Sequence, residues 1–207
     1  MTYLNPSDYE LFGLAADTSA GLVAATSALV DAHCRRVTIA PHQYRERLRL
    51  AAQSRTVRLT FLPLMPIAPA TSALISAKGR YGPARRGEYT TDFAADIAQT
   101  FGLPGDWTEL DVSSLDVDPD SGELTLPRHP LGLGFNEVEV VYTAGHETIP
   151  DAVKLACAQL IRNAQATPAL NVRAGSIDRM HLDYFSDSLL DSTVRELLAP
   201  YVAQKVA

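Results

Sequence analysis

The chain has 207 residues, 46% of them hydrophobic and 20% charged, which is enough to bury a core without disulfides or metals. Its formal charge of −6 has the wrong sign for a dedicated nucleic-acid binder, whose affinity comes from clustered Lys and Arg. No apolar run approaches the ~18 residues of a membrane span, and Met1-Thr-Tyr-Leu-Asn-Pro6 has neither the basic nor the apolar region of a secretion signal.

In chain order, Asn5 to Phe12 predicts a short helix, with Asn5 or Ser7 as cap and Gly13 as its end. A longer helix is expected from about Thr18 to Arg36. Leu22, Val23, Thr26, Leu29, Val30 and His33 share one face, Asp17, Thr18 or Ser19 caps the start, and Arg35 and Arg36 suit the end of the dipole. The period then changes to two. Gln43–Leu50 and Thr56–Leu62 alternate large and polar residues as half-buried strands do. Pro63, Pro66 and Pro69 exclude a central strand, so that stretch reads as an extended edge segment or a loop over the sheet. Thr71–Lys78 restores a strand, and Gly79–Gly87 reads as a glycine-rich turn.

Residues 90–107 fit either a short helix or irregular strands. Leu110–Val117, Glu123–Leu126 and Val138–Thr143 read as short strands. A second strong helix follows Ile149-Pro150-Asp151, with Val153, Ala156, Cys157, Leu160, Ile161 and Ala164 as its apolar stripe and Pro168 as its end. Asn171–Ser186 reads as a loop or hairpin, and a last helix runs from Asp187 or Ser188 to Lys205, bent or shortened by Pro200. The fold class expected is therefore α+β. Residues 1–36 and 148–207 make a helical core, and 37–147 form an inserted antiparallel β-rich region.

No motif in the chain carries catalytic chemistry. Asp116, Asp118 and Asp120 alternate as in a calcium loop, but the glycine falls one place late, Pro119 interrupts, and Pro127 stands where a bidentate Glu belongs. An ordinary tight turn is the simpler reading. His33, His42, His129, His146 and His181 form no pair with metal-ligand spacing. Cys34 and Cys157 read as two buried thiols, a disulfide being the other reading. Leu131–Phe135 lacks the glycines and setting of a phosphate loop, so neither cofactor nor metal is expected. One cluster has a functional reading. Lys78, Arg80, Arg85 and Arg86 gather around the glycine-rich turn, either as a solvated hairpin tip or as a contact for an acidic partner or DNA phosphates.

Four stretches carry a resemblance. Val138–Ala156 (VEVVYTAGHETIPDAVKLA) resembles the signature of phage head–tail connector proteins, where a strand ends in Tyr/Phe-Thr-Ala-Gly and Ile/Val-Pro opens a long helix. The matching positions are Tyr142, Thr143, Ala144, Gly145, Ile149 and Pro150. Val30–Arg36 is similar to the family's early helix with its Cys/Gly-Arg ending, Leu62–Ser76 to its Leu-Pro…Pro-Val…Ser-Val stretch, and Leu197–Tyr201 to its usual C-terminal ending. The four occur in the family's order and span residues 15–201; the long middle, about 80–135, departs from shorter members.

The resemblance implies a non-enzymatic virion protein made in the host bacterial cytoplasm. It implies a homo-oligomeric ring of roughly twelve copies joined head to tail. That ring would sit between the portal and a tail or tail-completion protein, with DNA threading its channel without sequence specificity and no membrane contact. A net acidic subunit would let DNA slide. Two other readings are another neck protein, such as a tail terminator, and a small metal-dependent hydrolase using Asp116, Asp118 and Asp120 with a histidine.

Overall fold

The computed structural model describes residues 1–51, 54–80, 105–127, 135–166 and 189–203, and the backbone course of 174–177 and 180–183. The protein has an α+β fold in which helices from both chain ends flank a central antiparallel β region. The chain divides into two units, Met1–Ala40 with Thr148–Ala203, and Pro41–Glu147. Among the described residues no helix is long and apolar enough to cross a membrane.

In the helical unit, α1 spans Ala20–Cys34 and buries Val23, Thr26, Ser27, Val30 and Cys34. This face is rotated from the expected one: Leu22 and Leu29 pack only at its margin, and Ser27 and Cys34 take the centre. The buried hydroxyls cost little because each has a partner: Ser27 Oγ donates to Val23 O (2.8 Å), and Thr26 Oγ1 to Val23 O (3.0 Å). The helix also ends earlier than predicted, because Arg35 turns left-handed (φ 55°) and Arg36 N closes onto Asp31 O at 3.1 Å. Ser19 holds the N-cap position, where its carbonyl rather than its side chain receives the first helical N–H groups.

The N-terminal segment, a 3-10 turn at Pro6–Asp8 in place of a full helix, is held down by Tyr3. The Tyr3 hydroxyl donates to the Asp31 carboxylate and accepts from Ile39 N at 2.7 Å, so one buried ring ties three stretches of chain together. Burial, together with the Asp31 hydrogen bond, pushes its ionisation far above the usual tyrosine range.

Helix α2 covers Asp151–Ala166, with Pro150 O receiving Val153 N and Lys154 N. Its predicted stripe is buried except for Ala164, which is half-buried, and the helix packs on α1 and on the last helix, α3 (Ser192–Leu198). α3 is much shorter than expected. Asp191 Oδ1 caps it by accepting Val194 N (2.7 Å), and Pro200, without an N–H, turns its end into a 3-10 turn at Ala199–Tyr201. Two short strands, Ala174–Ile177 and Met180–Asp183, form an antiparallel hairpin within the stretch read as loop or hairpin. Pro168, Arg85, Arg86, His129, Leu131–Gly134 and most of 90–107 lie outside the described residues.

Among its described residues the β unit holds two antiparallel sheets. β1 (His42–Arg49), β3 (Leu74–Arg80), β4 (Thr108–Leu110) and β7 (Glu137–Ala144) form a four-stranded sheet in the order β1-β7-β3-β4. β2 (Thr56–Arg58), β5 (Asp116–Val117) and β6 (Glu123–Thr125) form a second, in the order β2-β6-β5. Tyr44, Leu74, Ala77, Val138, Val140 and Tyr142 from the first share one core with Leu59, Leu115, Leu124 and Leu126 from the second layer. The two sheets therefore pack face to face.

The expected strand Thr56–Leu62 ends at Arg58; Leu59 N still meets the backbone at Gly122 O (2.9 Å), and side chains take the donors after it. Thr60 N bonds Glu46 Oε2 (3.0 Å), and Phe61 N bonds the Tyr142 hydroxyl (3.1 Å), which itself donates to Glu46 Oε2 at 2.9 Å. This network also satisfies Glu46, the carboxylate on the inward face of β1. Leu110–Val117 is likewise interrupted, by a 3-10 turn at Val112–Ser114 whose Ser113 N and Oγ both bond Asp111. The proline-rich segment runs extended beside the end of β7, with a bridge from Leu64 to Ala144 and a bond from Met65 N to Thr143 O.

Candidate functional site

On β1, residues 45, 47 and 49 point to the side opposite Tyr44, because side chains alternate along a strand. All three are arginines. The antiparallel register sets Arg49 opposite Glu137 and Arg47 opposite Glu139, and on the other flank of β7 sets Arg80 opposite Glu137 and Lys78 opposite Glu139. A central strand carrying carboxylates thus lies between two strands carrying cations.

Glu137 is the hub. Its side chain is 8% exposed, and it receives Arg47 Nη2 at 2.5 Å, Arg80 Nε at 2.8 Å and Arg49 Nη1 at 3.4 Å. Burial alone would raise its pKa; hydrogen bonds from Arg47 and Arg80, with their charges, outweigh that and hold it below the usual carboxylate range. Toward solvent, Arg45 Nη2 meets Glu139 Oε1 at 2.6 Å, and Lys78 Nζ meets Glu109 Oε1 of β4 at 3.1 Å. Trp107, just before β4, has two guanidiniums over its ring, Arg80 at 4.6 Å and Arg47 at 5.2 Å from the ring centre. The result is a charged and aromatic sheet face whose arginines are pre-positioned, while Arg45 keeps 69% and Arg47 50% of its side chain exposed.

Lys78 and Arg80 belong to this face as strand residues. Gly79 and Arg80, expected to open the glycine-rich turn, are strand residues, because the β3–β7 ladder continues through Gly79 to Arg80. Arg85 and Arg86 lie outside the described residues. Sequence reasoning missed Arg45, Arg47, Arg49, Glu137, Glu139 and Trp107. The signal was present as arginine at every second position of a predicted strand, matched by Glu-Val-Glu at 137–139.

The aspartate string forms the β5–β6 hairpin turn. Asp118 Oδ1 accepts Asp120 N (3.0 Å) and Oδ2 accepts Ser121 Oγ (2.7 Å), and Gly122, at φ +69°, makes the left-handed step that closes it. The Ser121 hydroxyl, then the Asp120 amide, hold the Asp118 carboxyl below its usual range. Among the described residues no group of three or more His, Cys, Asp or Glu could hold a metal ion. Cys34 and Cys157 are both buried and free in the helical core. No protein-family profile matches the chain, and no curated protein matches it significantly.

Proposed function

We propose that the chain is a structural subunit of the head–tail junction of a tailed bacteriophage or prophage, an adaptor that works as a ring between portal and tail. The observation that carries this reading is the passage from β7 into α2. β7 ends on Tyr142-Thr-Ala144, Gly145 follows with φ 141°, and Ile149-Pro150 leads into a helix of 16 residues. A strand, a Thr-Ala-Gly turn and a proline-opened helix are what the resemblance implies at this place. The helical unit assembled from both chain ends supports it further. On this reading DNA passes through the ring without sequence-specific contacts, and the portal and a tail-completion protein are the neighbours.

Electron microscopy of the purified full chain, alone and mixed with a portal protein from the same genome, tests the reading. Ring-shaped density on the portal is the expected result. A chain that forms no ring and leaves the portal bare refutes it, and binding to the end of a tail tube instead would reassign the chain to tail termination.

A further inference from the structure

The β unit has two outer faces of opposite character. One is the arginine face of the four-stranded sheet, where Arg45, Arg47, Arg49, Lys78 and Arg80 outnumber Glu109, Glu137 and Glu139. The other belongs to β2-β6-β5. There Val57 and Leu124 turn into the core, so Asp116, Glu123 and Arg58 face outward, and the exposed Asp118 and Asp120 follow in the hairpin turn, where Arg58 Nε donates to Ser121 O at 3.0 Å; the carboxylates of this face outnumber its one arginine. Because the two sheets share a core through their inner faces, the cationic and acidic surfaces look in opposite directions.

We propose that a second copy of this chain occupies the arginine face, with the acidic β5–β6 hairpin of one copy seated on Arg45, Arg47 and Lys78 of the next. This rests on the ring reading and names the contact that would build the ring. Charge decides the pairing mode. A symmetric pair would set cationic face against cationic face or acidic hairpin against acidic hairpin, and like charges across an interface are costly. Head-to-tail pairing sets opposite charges together at every contact and leaves each copy with one free surface of each kind.

Charge also favours a protein carboxylate over a DNA phosphate as occupant. Three carboxylates are interleaved among the cations, so a duplex backbone would meet Glu109 and Glu139 along with the arginines. A narrow hairpin can instead place its Asp side chains on individual guanidiniums, whose fork geometry suits carboxylates.

Sedimentation velocity of the full chain tests the proposal, with fluorescence of Trp107, the sole tryptophan, as a reporter on the face itself. Two reversals are compared, R45E/K78E on the face and D116K/D120K on the hairpin, and melting curves confirm that each variant folds. Both alter exposed groups, and the hairpin pair leaves the arginine face untouched. The wild type should self-associate in low salt, shift its Trp107 emission as it does so, and dissociate in about 0.5 M salt. Each reversal should weaken association by at least about tenfold. An equimolar mixture of the two should recover it, because every contact is again complementary.

Reversed variants that assemble like the wild type overturn the proposal while leaving the ring reading in place. Association that follows the charge rule but yields open filaments keeps the contact and removes the ring. A wild type that stays monomeric in low salt, or duplex DNA binding lost only in R45E/K78E, overturns the proposal.

Discussion

Replacing Glu137 by Gln keeps the shape of the hub and removes its charge. The two short contacts, from Arg47 Nη2 and Arg80 Nε, then become hydrogen bonds to a neutral oxygen. Charge-assisted bonds are worth roughly 1.5–3 kcal/mol each and neutral ones roughly 0.5–1.5, so the pair loses about 2–3 kcal/mol. Arg47 is 50% exposed and regains water, which brings the expected loss to about 2 kcal/mol. The longer Arg49 contact at 3.4 Å adds little. Glu139→Gln is the control. Its partner Arg45 is 69% exposed, so the cost should stay below about 1 kcal/mol.

The loss also depends on pH in a fixed direction. Because the folded pKa of Glu137 lies below its unfolded value, its stabilisation is complete above about 4.3, the ordinary glutamate value, and is lost as pH falls through the folded pKa. The gap between wild type and E137Q should be constant from neutral pH to about pH 5 and should close below about pH 4. Urea titrations followed by Trp107 emission, which reports this face alone, measure both effects. A gap under about 0.5 kcal/mol at neutral pH, or one that persists unchanged into acid, refutes the assignment of Glu137 as the charged hub.

Two further outcomes concern the helical unit. Asp191→Ala removes both the cap of α3 and the acceptor of Asn163 Nδ2 (3.0 Å), so melting curves should show a loss of about 1–2 kcal/mol, and Asp191→Asn should recover most of it. Burial pushes the thiols of Cys34 and Cys157 up to about 11 and about 12. At pH 8, Ellman's reagent should therefore leave the folded chain unlabelled and modify both cysteines once urea is added; prompt labelling of the native chain would contradict the packing of this core.

The long helices were legible because their signals are local. A 3.6-residue stripe from Val153 to Ile161 and a proline at the entrance are enough to write α2 from sequence. Boundaries were less legible wherever a distant group competed for backbone donors. Nothing between Thr56 and Leu62 announces that Glu46 and Tyr142 will capture the amides of Thr60 and Phe61. The start of the last helix was less legible for a related reason, since Asp191 supplies the cap and the helix begins at Ser192. Lys78 was legible as the end of a strand but Arg80 was not, because Gly79 between them reads as the start of a turn until β7 supplies its ladder.

The arginine face shows why net charge was a poor guide to this surface. Glu137 and Glu139 stand two residues apart on the central strand and reach cations on both flanking strands, at separations of 90 and 57 residues for the two short contacts to Glu137. Glu137 takes Arg47, Arg49 and Arg80, while Glu139 takes Arg45 and Glu109 takes Lys78, so the cations of this face outnumber the carboxylates that hold them and a positive surplus remains. A locally cationic face on a chain of total charge −6 requires the remaining surface to be more acidic than the total suggests. Within the β unit, Asp116, Asp118 and Asp120 belong to the other sheet and its hairpin, so the unit is polar between its two outer faces. A polar unit of that kind matches itself in one orientation only, which favours directional stacking of copies over symmetric pairing.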